Sequence, residues 1–231
     1  MAYGKKIQDI YKKASVKQEY SLAEAIQFLK ENAPAKFDET FEVSMNVAVD
    51  TRKADQNLRG VVSLPHGTGK TLRVAAFVPE DKIEEARKAG ADVVGGEDLV
   101  EKIENGFSEF DRCVATPSMM AHVGKLGKIL GPRGLMPNPK LGTVTMNVAQ
   151  AIEAIKKGQV EYRAEKNGIV QAGVGKVSFS IENLEENIQT FVQTVVKAKP
   201  ASVKGTFLKH ITLSTTMGGG LKVRLGDFSA A

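Results

Sequence analysis

The chain has no tryptophan, one cysteine, and only 6% aromatic residues. Any core it builds is therefore mainly aliphatic, and 42% hydrophobic residues over 231 positions suffice for two medium domains or one large one. The lone Cys113 excludes an intramolecular disulfide and a site made from several thiolates. It stands in the apolar run Cys113-Val114-Ala115 and reads as a small buried hydrophobe. No stretch approaches the ~18 consecutive apolar residues of a membrane span. No apolar segment follows Lys5 and Lys6 as it would in a secretory leader, so the chain reads as soluble and intracellular, with no membrane partner. His66, His122 and His210 lie far apart and share no metal-ligand spacing. There is no Gly-x-Ser-x-Gly elbow, and most carboxylates fall on predicted helix faces, where solvation is the ordinary role. The expectation is a chain that is not an enzyme and holds neither metal nor cofactor. The net charge of +5 and pI near 9.1 suit a polyanion partner, and equally an ordinary basic protein.

Two rhythms alternate along the sequence. Lys5 to Ser15 can form a basic helix with Ile7, Ile10, Tyr11 and Ala14 on one side. Ser21 and Glu24 have capping-box spacing, with Leu22, Ala25, Ile26 and Leu29 recurring at helical period behind them. Phe41, Val43, Met45, Val47 and Val49 then alternate as on a half-buried strand, and Val61, Val62 and Leu64 suggest another. In the middle, three short apolar strands (72–78, 92–94, 113–115) alternate with helical segments (80–89, 97–105, 149–157), the pattern of βαβ units around a parallel sheet. Beyond Gly158, strand-like 160–164 precedes Asn167-Gly168, a strong hairpin signal, with 169–179 as its expected partner strand. Asn183 and Glu186 are expected to cap a helix carrying Leu184, Ile188, Phe191, Val192, Val195 and Val196, followed by strands at 207–213 and 221–225. The simplest topology is an insertion. Residues 1–67 and 159–231 form a split α+β domain with an antiparallel sheet, and residues 68–158 form an inserted Rossmann-like α/β domain. Glycines at both crossings permit a hinge. The split domain carries 10 and 9 basic against 9 and 6 acidic residues in its two segments, net +4; the insertion carries 13 against 12, net +1.

Four segments carry the chemical argument. Gly67-Thr68-Gly69-Lys70-Thr71 has the tail of a phosphate-binding loop, but Leu64 stands where the first glycine belongs, and a strand-like segment follows where a helix is needed. It reads as a flexible basic crossing. The Gly- and Pro-rich 124–142 run holds Lys125, Lys128, Arg133 and Lys140, and no carboxylate occurs between Asp111 and Glu153. It reads as a rigid surface loop whose basic groups suit RNA phosphates as well as plain solvation. Lys36-Phe37-Asp38-Glu39-Thr40 enters the first strand. Phe37 there suits a core, or an RNA platform on which an aromatic ring stacks while Arg52 and Lys53 hold phosphate. Ser214-Thr215-Thr216-Met217-Gly218-Gly219-Gly220 offers hydroxyls and exposed backbone N–H groups between two late strands, as a loose turn or as a reader of ribose and phosphate.

These segments together resemble a known family. Lys36 to Thr40, Asp55-Gln56-Asn57-Leu58-Arg59-Gly60, Leu64 to Lys70, Gly127 to Pro139 and Ser214 to Gly218 are similar, in order, to the large-subunit ribosomal protein one family; the run Gly131-Pro132-Arg133-Gly134-Leu135-Met136-Pro137 is the most specific. The resemblance implies a protein of the cytoplasmic ribosome, monomeric when free of it. Its split domain would hold the ribosomal RNA stalk beside the exit site and assist release of deacylated tRNA. Such a protein would also repress translation of its own operon mRNA. Carried over by motif, Lys36, Phe37, Thr40, Thr216, Met217 and Gly218 form the principal RNA surface, with Ser214 and Gly219 in the same loop. Arg52 and Lys53 sit where basic contacts occur in similar proteins, and Arg163 and Lys166 beside the hairpin turn join them by charge. Gly219-Gly220 departs from the family's usual continuation, implying a looser loop. The competing readings are a nucleotide-dependent enzyme built on the insertion, and a basic RNA chaperone without sequence preference.

Overall fold

The computed structural model describes residues 5–14 and 19–228, with no side-chain placement for Lys5, Lys6 or Ala54. The chain divides into two compact units, residues 1–69 with 160–231, and residues 70–159. Among the described residues no helix is long and apolar enough to cross a membrane.

Unit 1 is built on a four-stranded sheet whose strands run, edge to edge, Ile169–Lys176, Thr40–Val47, Leu208–Thr215 and Leu221–Val223. Strand β1 (Thr40–Val47) lies antiparallel to both β7 (Ile169–Lys176) and β8 (Leu208–Thr215), and β8 pairs antiparallel with β9 (Leu221–Val223). The alternation in β1 sets the two faces. Phe41, Val43, Met45 and Val47 are buried, together with Val170, Val174, Ile211 and Leu213 from the neighbouring strands. Helices α2 (Leu22–Glu31) and α8 (Ile181–Lys197) share this core through Leu22, Ala25, Ile26 and Leu29, and through Leu184, Ile188, Phe191, Val192 and Val195. The capping box is present: Ser21 accepts from the Glu24 N–H, and Glu24 accepts from the Ser21 N–H at 3.0 Å. Helix α1 (Lys5–Lys13) buries Ile10, and Ala14 follows in the core.

Two expectations in this unit are corrected, the cap of α8 and the pairing across the Asn167-Gly168 turn. The N-cap of α8 is Ser180, which accepts from the Asn183 N–H at 3.2 Å; Asn183 lies inside the helix. Val196 is exposed on that helix. The Asn167-Gly168 turn forms, with Gly168 at φ 71°, but it joins two sheets. Strand β6 (Gln159–Arg163) pairs with β2 (Arg59–Ser63), while β7 pairs with β1, so only the Ala164–Val170 bridge links the turn's two arms. The backbone of residues 66–67 is tied to α8. Buried Asn187 accepts from the His66 N–H at 3.1 Å and donates to the carbonyls of Gly67 (3.0 Å) and Val174 (2.8 Å).

Unit 2 has a three-stranded parallel sheet in the order β4-β3-β5, made of β3 (Val74–Phe77), β4 (Val93–Gly95) and β5 (Arg112–Ala115). Ala75, Phe77, Cys113 and Ala115 point to one face and pack with Leu99, Val100 and Ile103 of α4 (Glu97–Glu104). Val74, Ala76 and Val114 point to the other and pack with Ala86 of α3 (Ile83–Lys88) and Val148, Ile152 and Ile155 of α7 (Val148–Lys156). Helices thus cover both faces, which is why the strands read as continuous apolar runs. Burial pushes the Cys113 thiol up to about 12. The 124–142 segment is only partly a loop. After α5 (Met120–Val123), residues 124–126 form a 3₁₀ turn and α6 (Gly127–Leu130) follows, with Leu126 and Leu130 fully buried. Burial of two leucines one turn apart outweighs the helix-weakening glycines.

Candidate nucleic-acid interface

Strand register brings two distant segments of unit 1 together at the Thr40 end of β1. Phe41 lies opposite Thr215, and the chain continues past both into loops that touch. The Thr216 N–H donates to the Thr40 carbonyl at 3.1 Å, and the Thr40 N–H donates to the Thr216 hydroxyl at 2.9 Å. Beneath them lies Glu39, 1% exposed. One of its carboxylate oxygens accepts from the Ala35 N–H at 2.8 Å, the other from the Met217 N–H at 3.0 Å. Lys176 closes the third side, its ammonium donating to the Thr40 hydroxyl (3.0 Å) and the Asp38 carbonyl (3.1 Å). Asp38 is held in turn by the Ser178 N–H at 3.1 Å and the Ser178 hydroxyl at 2.8 Å.

This frame presents an unusual pair. Phe37 is 57% exposed and Met217 is 52% exposed, in a unit whose core is otherwise well filled. An aromatic ring and a polarisable thioether held outward on hydrogen-bonded loops suit a flat, apolar ligand face such as a nucleobase. Lys36 and Thr216 are exposed beside them. Below the pair runs the open face of the sheet. Glu42, Ser44 and Asn46 of β1 stand in register with Gly173, Gln171 and Ile169 of β7 and with Ser214, Thr212 and His210 of β8. A depression of about 400 Å³ on this face is lined by Glu42, Val43, Ser44, Gln171, Ala172, Gly173 and Ser214.

The expected site residues do not form one cluster. Lys36, Phe37, Thr40, Ser214, Thr216, Met217 and Gly218 gather at or beside the Thr40 end of β1. The 165–168 turn with Lys166 lies at the other end, where the Val47 N–H donates to the Gly168 carbonyl at 2.8 Å. Arg52 and Lys53 lie in the turn that leaves that same end, with the Arg52 N–H donating to the Asp50 carboxylate at 3.1 Å. The eight residues of β1 separate the two groups by roughly 25 Å of strand. Arg52, Lys53, Arg163 and Lys166 are all exposed.

Two glycines stand against neighbouring side chains. Gly219 is buried, and a Cβ there would meet the Tyr11 ring at 3.4 Å and the Ile10 side chain at 3.5 Å, so it faces α1. Gly220 is also tight, with Thr212 Cγ2 at 3.1 Å from the place of a Cβ, so this pair packs closely and is not a looser loop. Gly218 has a reason internal to the fold: a Cβ there would collide with the Thr215 hydroxyl, a buried group with no hydrogen-bond partner among the described residues. Sequence reasoning missed Glu39 as a frame residue, Lys176, and the open-face side chains Glu42, Ser44 and Gln171. Only the polar positions alternating with the apolar ones in β1 signalled any of these in advance.

The P-loop-like segment has the geometry of a turn. Gly67 and Gly69 adopt φ of 64° and 68°, and β3 follows instead of a helix. A family model described as the Ribosomal protein L1p/L10e family matches residues 29–219, which include both loops of the platform and the whole of unit 2.

Proposed function

The chain belongs to the Ribosomal protein L1p/L10e family and is thus a protein of the large ribosomal subunit; from that premise we propose that unit 1 grips the ribosomal RNA stalk beside the exit site through the Phe37–Met217 platform. The observation that carries this reading is the pair of exposed apolar side chains on loops tied by Glu39, Thr40 and Thr216. An aromatic ring and a thioether held outward beside polar and basic groups, on two loops joined by hydrogen bonds, offer stacking and phosphate contact on one surface. Phe37 and Met217 read the shape and bases of folded RNA. Lys36, Arg52, Lys53, Arg163 and Lys166 neutralise its phosphates.

In the cytoplasmic ribosome this grip makes the protein part of the machinery that helps deacylated tRNA leave, and a similar fold on the protein's own operon mRNA gives translational repression. Unit 2 acts as an inserted Rossmann-like domain without a cofactor, the free protein is monomeric, and none of these roles is enzymatic. The test compares affinity for stalk RNA with that for a scrambled RNA of equal length at several salt concentrations. Phe37→Ala and Met217→Ala should weaken stalk RNA alone. Lys36→Ala, Arg52→Ala and Lys53→Ala should each weaken both RNAs and lower the log–log salt slope by about one unit or less. Equal affinity of the unmodified protein for both RNAs would overturn the reading in favour of a basic RNA chaperone.

A further inference from the structure

We propose that Glu39, which is too deeply buried to touch RNA, is a positioning residue that makes two loops separated by most of the chain into one preformed RNA-reading surface. The proposal rests on the RNA reading above and deepens it. Its starting point is that one carboxylate does two tasks. Through the Ala35 N–H at 2.8 Å it closes the 35–39 loop that displays Lys36 and Phe37. Through the Met217 N–H at 3.0 Å it hooks the loop that displays Thr216 and Met217. Its backbone carbonyl also accepts from the Val177 N–H at 2.9 Å, fixing Glu39 to the end of β7. Phe37 and Met217 therefore take their mutual position from this carboxylate, acting with the Thr40–Thr216 hydrogen bonds beside it.

The chemistry requires a carboxylate. Both of its oxygens accept, so two N–H groups arriving from different loops are satisfied at once. A carboxamide of the same shape has one accepting oxygen and one donating nitrogen, so one of the two N–H groups would face another donor. That N–H would lose its acceptor and its loop would loosen, while the size of the side chain at residue 39 would be kept. Preformed loops lose less freedom on binding than loops ordered by the ligand, so the effect falls on affinity for RNA of matching shape. Binding through phosphates alone is indifferent to it. A residue with a merely structural role would instead lower both affinities together, through the folded fraction.

The experiment uses the full chain with Glu39→Gln. Affinity for stalk RNA should fall roughly ten-fold, while that for scrambled RNA stays within about two-fold and the salt slope is unchanged. Amide hydrogen exchange at Met217 or Ala35 should accelerate in the free variant and be restored on binding stalk RNA. If the unmodified protein prefers stalk RNA and Glu39→Gln keeps that preference, this proposal fails and the RNA reading stands. If the unmodified protein shows no preference, the RNA reading fails and takes the proposal with it. An equal loss for both RNAs also overturns the proposal. Should Glu39→Gln fail to fold by circular dichroism, Glu39→Asp takes its place, because the shorter side chain cannot span both N–H groups; if neither folds, Glu39 is a stability residue and the proposal is wrong.

Discussion

Gly218→Ala and Thr215→Ala should be individually different and jointly non-additive. A methyl group on Gly218 lands on the Thr215 hydroxyl, which is buried and has no hydrogen-bond partner among the described residues. Thr215 cannot step aside freely, because it carries two γ atoms and is itself only 3% exposed. Overpacking of this kind costs about 1–3 kcal/mol, and a forced off-rotamer χ1 alone about 0.5–1.5. A loss of about 1 kcal/mol is expected for Gly218→Ala. Thr215→Ala deletes an unsatisfied hydroxyl, a relief of about 1–3 kcal/mol, and gives up a buried methyl worth about 0.8, so it should be near neutral or stabilising. In the double variant the collision has no second party, and the penalty of Gly218→Ala should largely vanish, a coupling of about 1 kcal/mol. Urea unfolding followed by tyrosine fluorescence measures this cleanly. Tyr3, Tyr11, Tyr20 and Tyr162 all fall in the segments of unit 1, and there is no tryptophan, so the signal reports that unit even if the two unfold separately. Additivity within about 0.3 kcal/mol would refute the collision and return Gly218 to the role of an RNA-approach residue.

Three further outcomes follow from the packing. Ser180→Ala should destabilise unit 1 by about 1 kcal/mol in the same urea assay through loss of the α8 cap, whereas Asn183→Ala should change it little. Asn187→Leu leaves the His66 N–H and the Gly67 and Val174 carbonyls without their partner, and should cost about 3 kcal/mol or more, with faster proteolysis near residues 66–69. The Cys113 thiol, raised by burial to about 12, stabilises the fold below its ordinary value near 9. Unit 2 should therefore lose stability as pH climbs from about 9 toward about 12, followed by circular dichroism; Cys113→Ala should remove that dependence, and a thiol reagent at pH 8 should leave the native protein unlabelled.

Features with a local cause were legible in the sequence. The Ser21–Glu24 box, the period-two burial of β1 and the three apolar strands of unit 2 each follow from a few adjacent residues. The cap of α8 was misread because Ser180-x-x-Asn183 and Asn183-x-x-Glu186 both look like caps, and only the helix start decides between them. The glycines at 124 and 127 hid a helical stretch that the burial of Leu126 and Leu130 imposes from outside. Phe37, Thr216 and Met217 come from motif resemblance, and the exposure of Phe37 excludes a core role for it. Glu39 and Lys176 were invisible because their roles come from strand register, which sets residues 39, 177 and 217 side by side.

The strand order of unit 1 has a consequence for how the protein is made. Strand β1 ends at Val47, yet its two neighbours begin at Ile169 and Leu208. A growing polypeptide therefore carries an apolar, unpaired β1 while the whole of residues 70–159, contiguous in the chain, can already close around its own sheet. Late pairing across so many residues is slow, and until then that strand is a ready partner for other edges. The Glu39 carboxylate receives its second N–H only when residue 217 has been synthesised, and the Thr40 amide its hydroxyl partner only with residue 216. A chain interrupted anywhere before the tip of β8 has every residue of the first loop and nothing to tie it to, so the joined pair of loops exists only once residue 217 has been added.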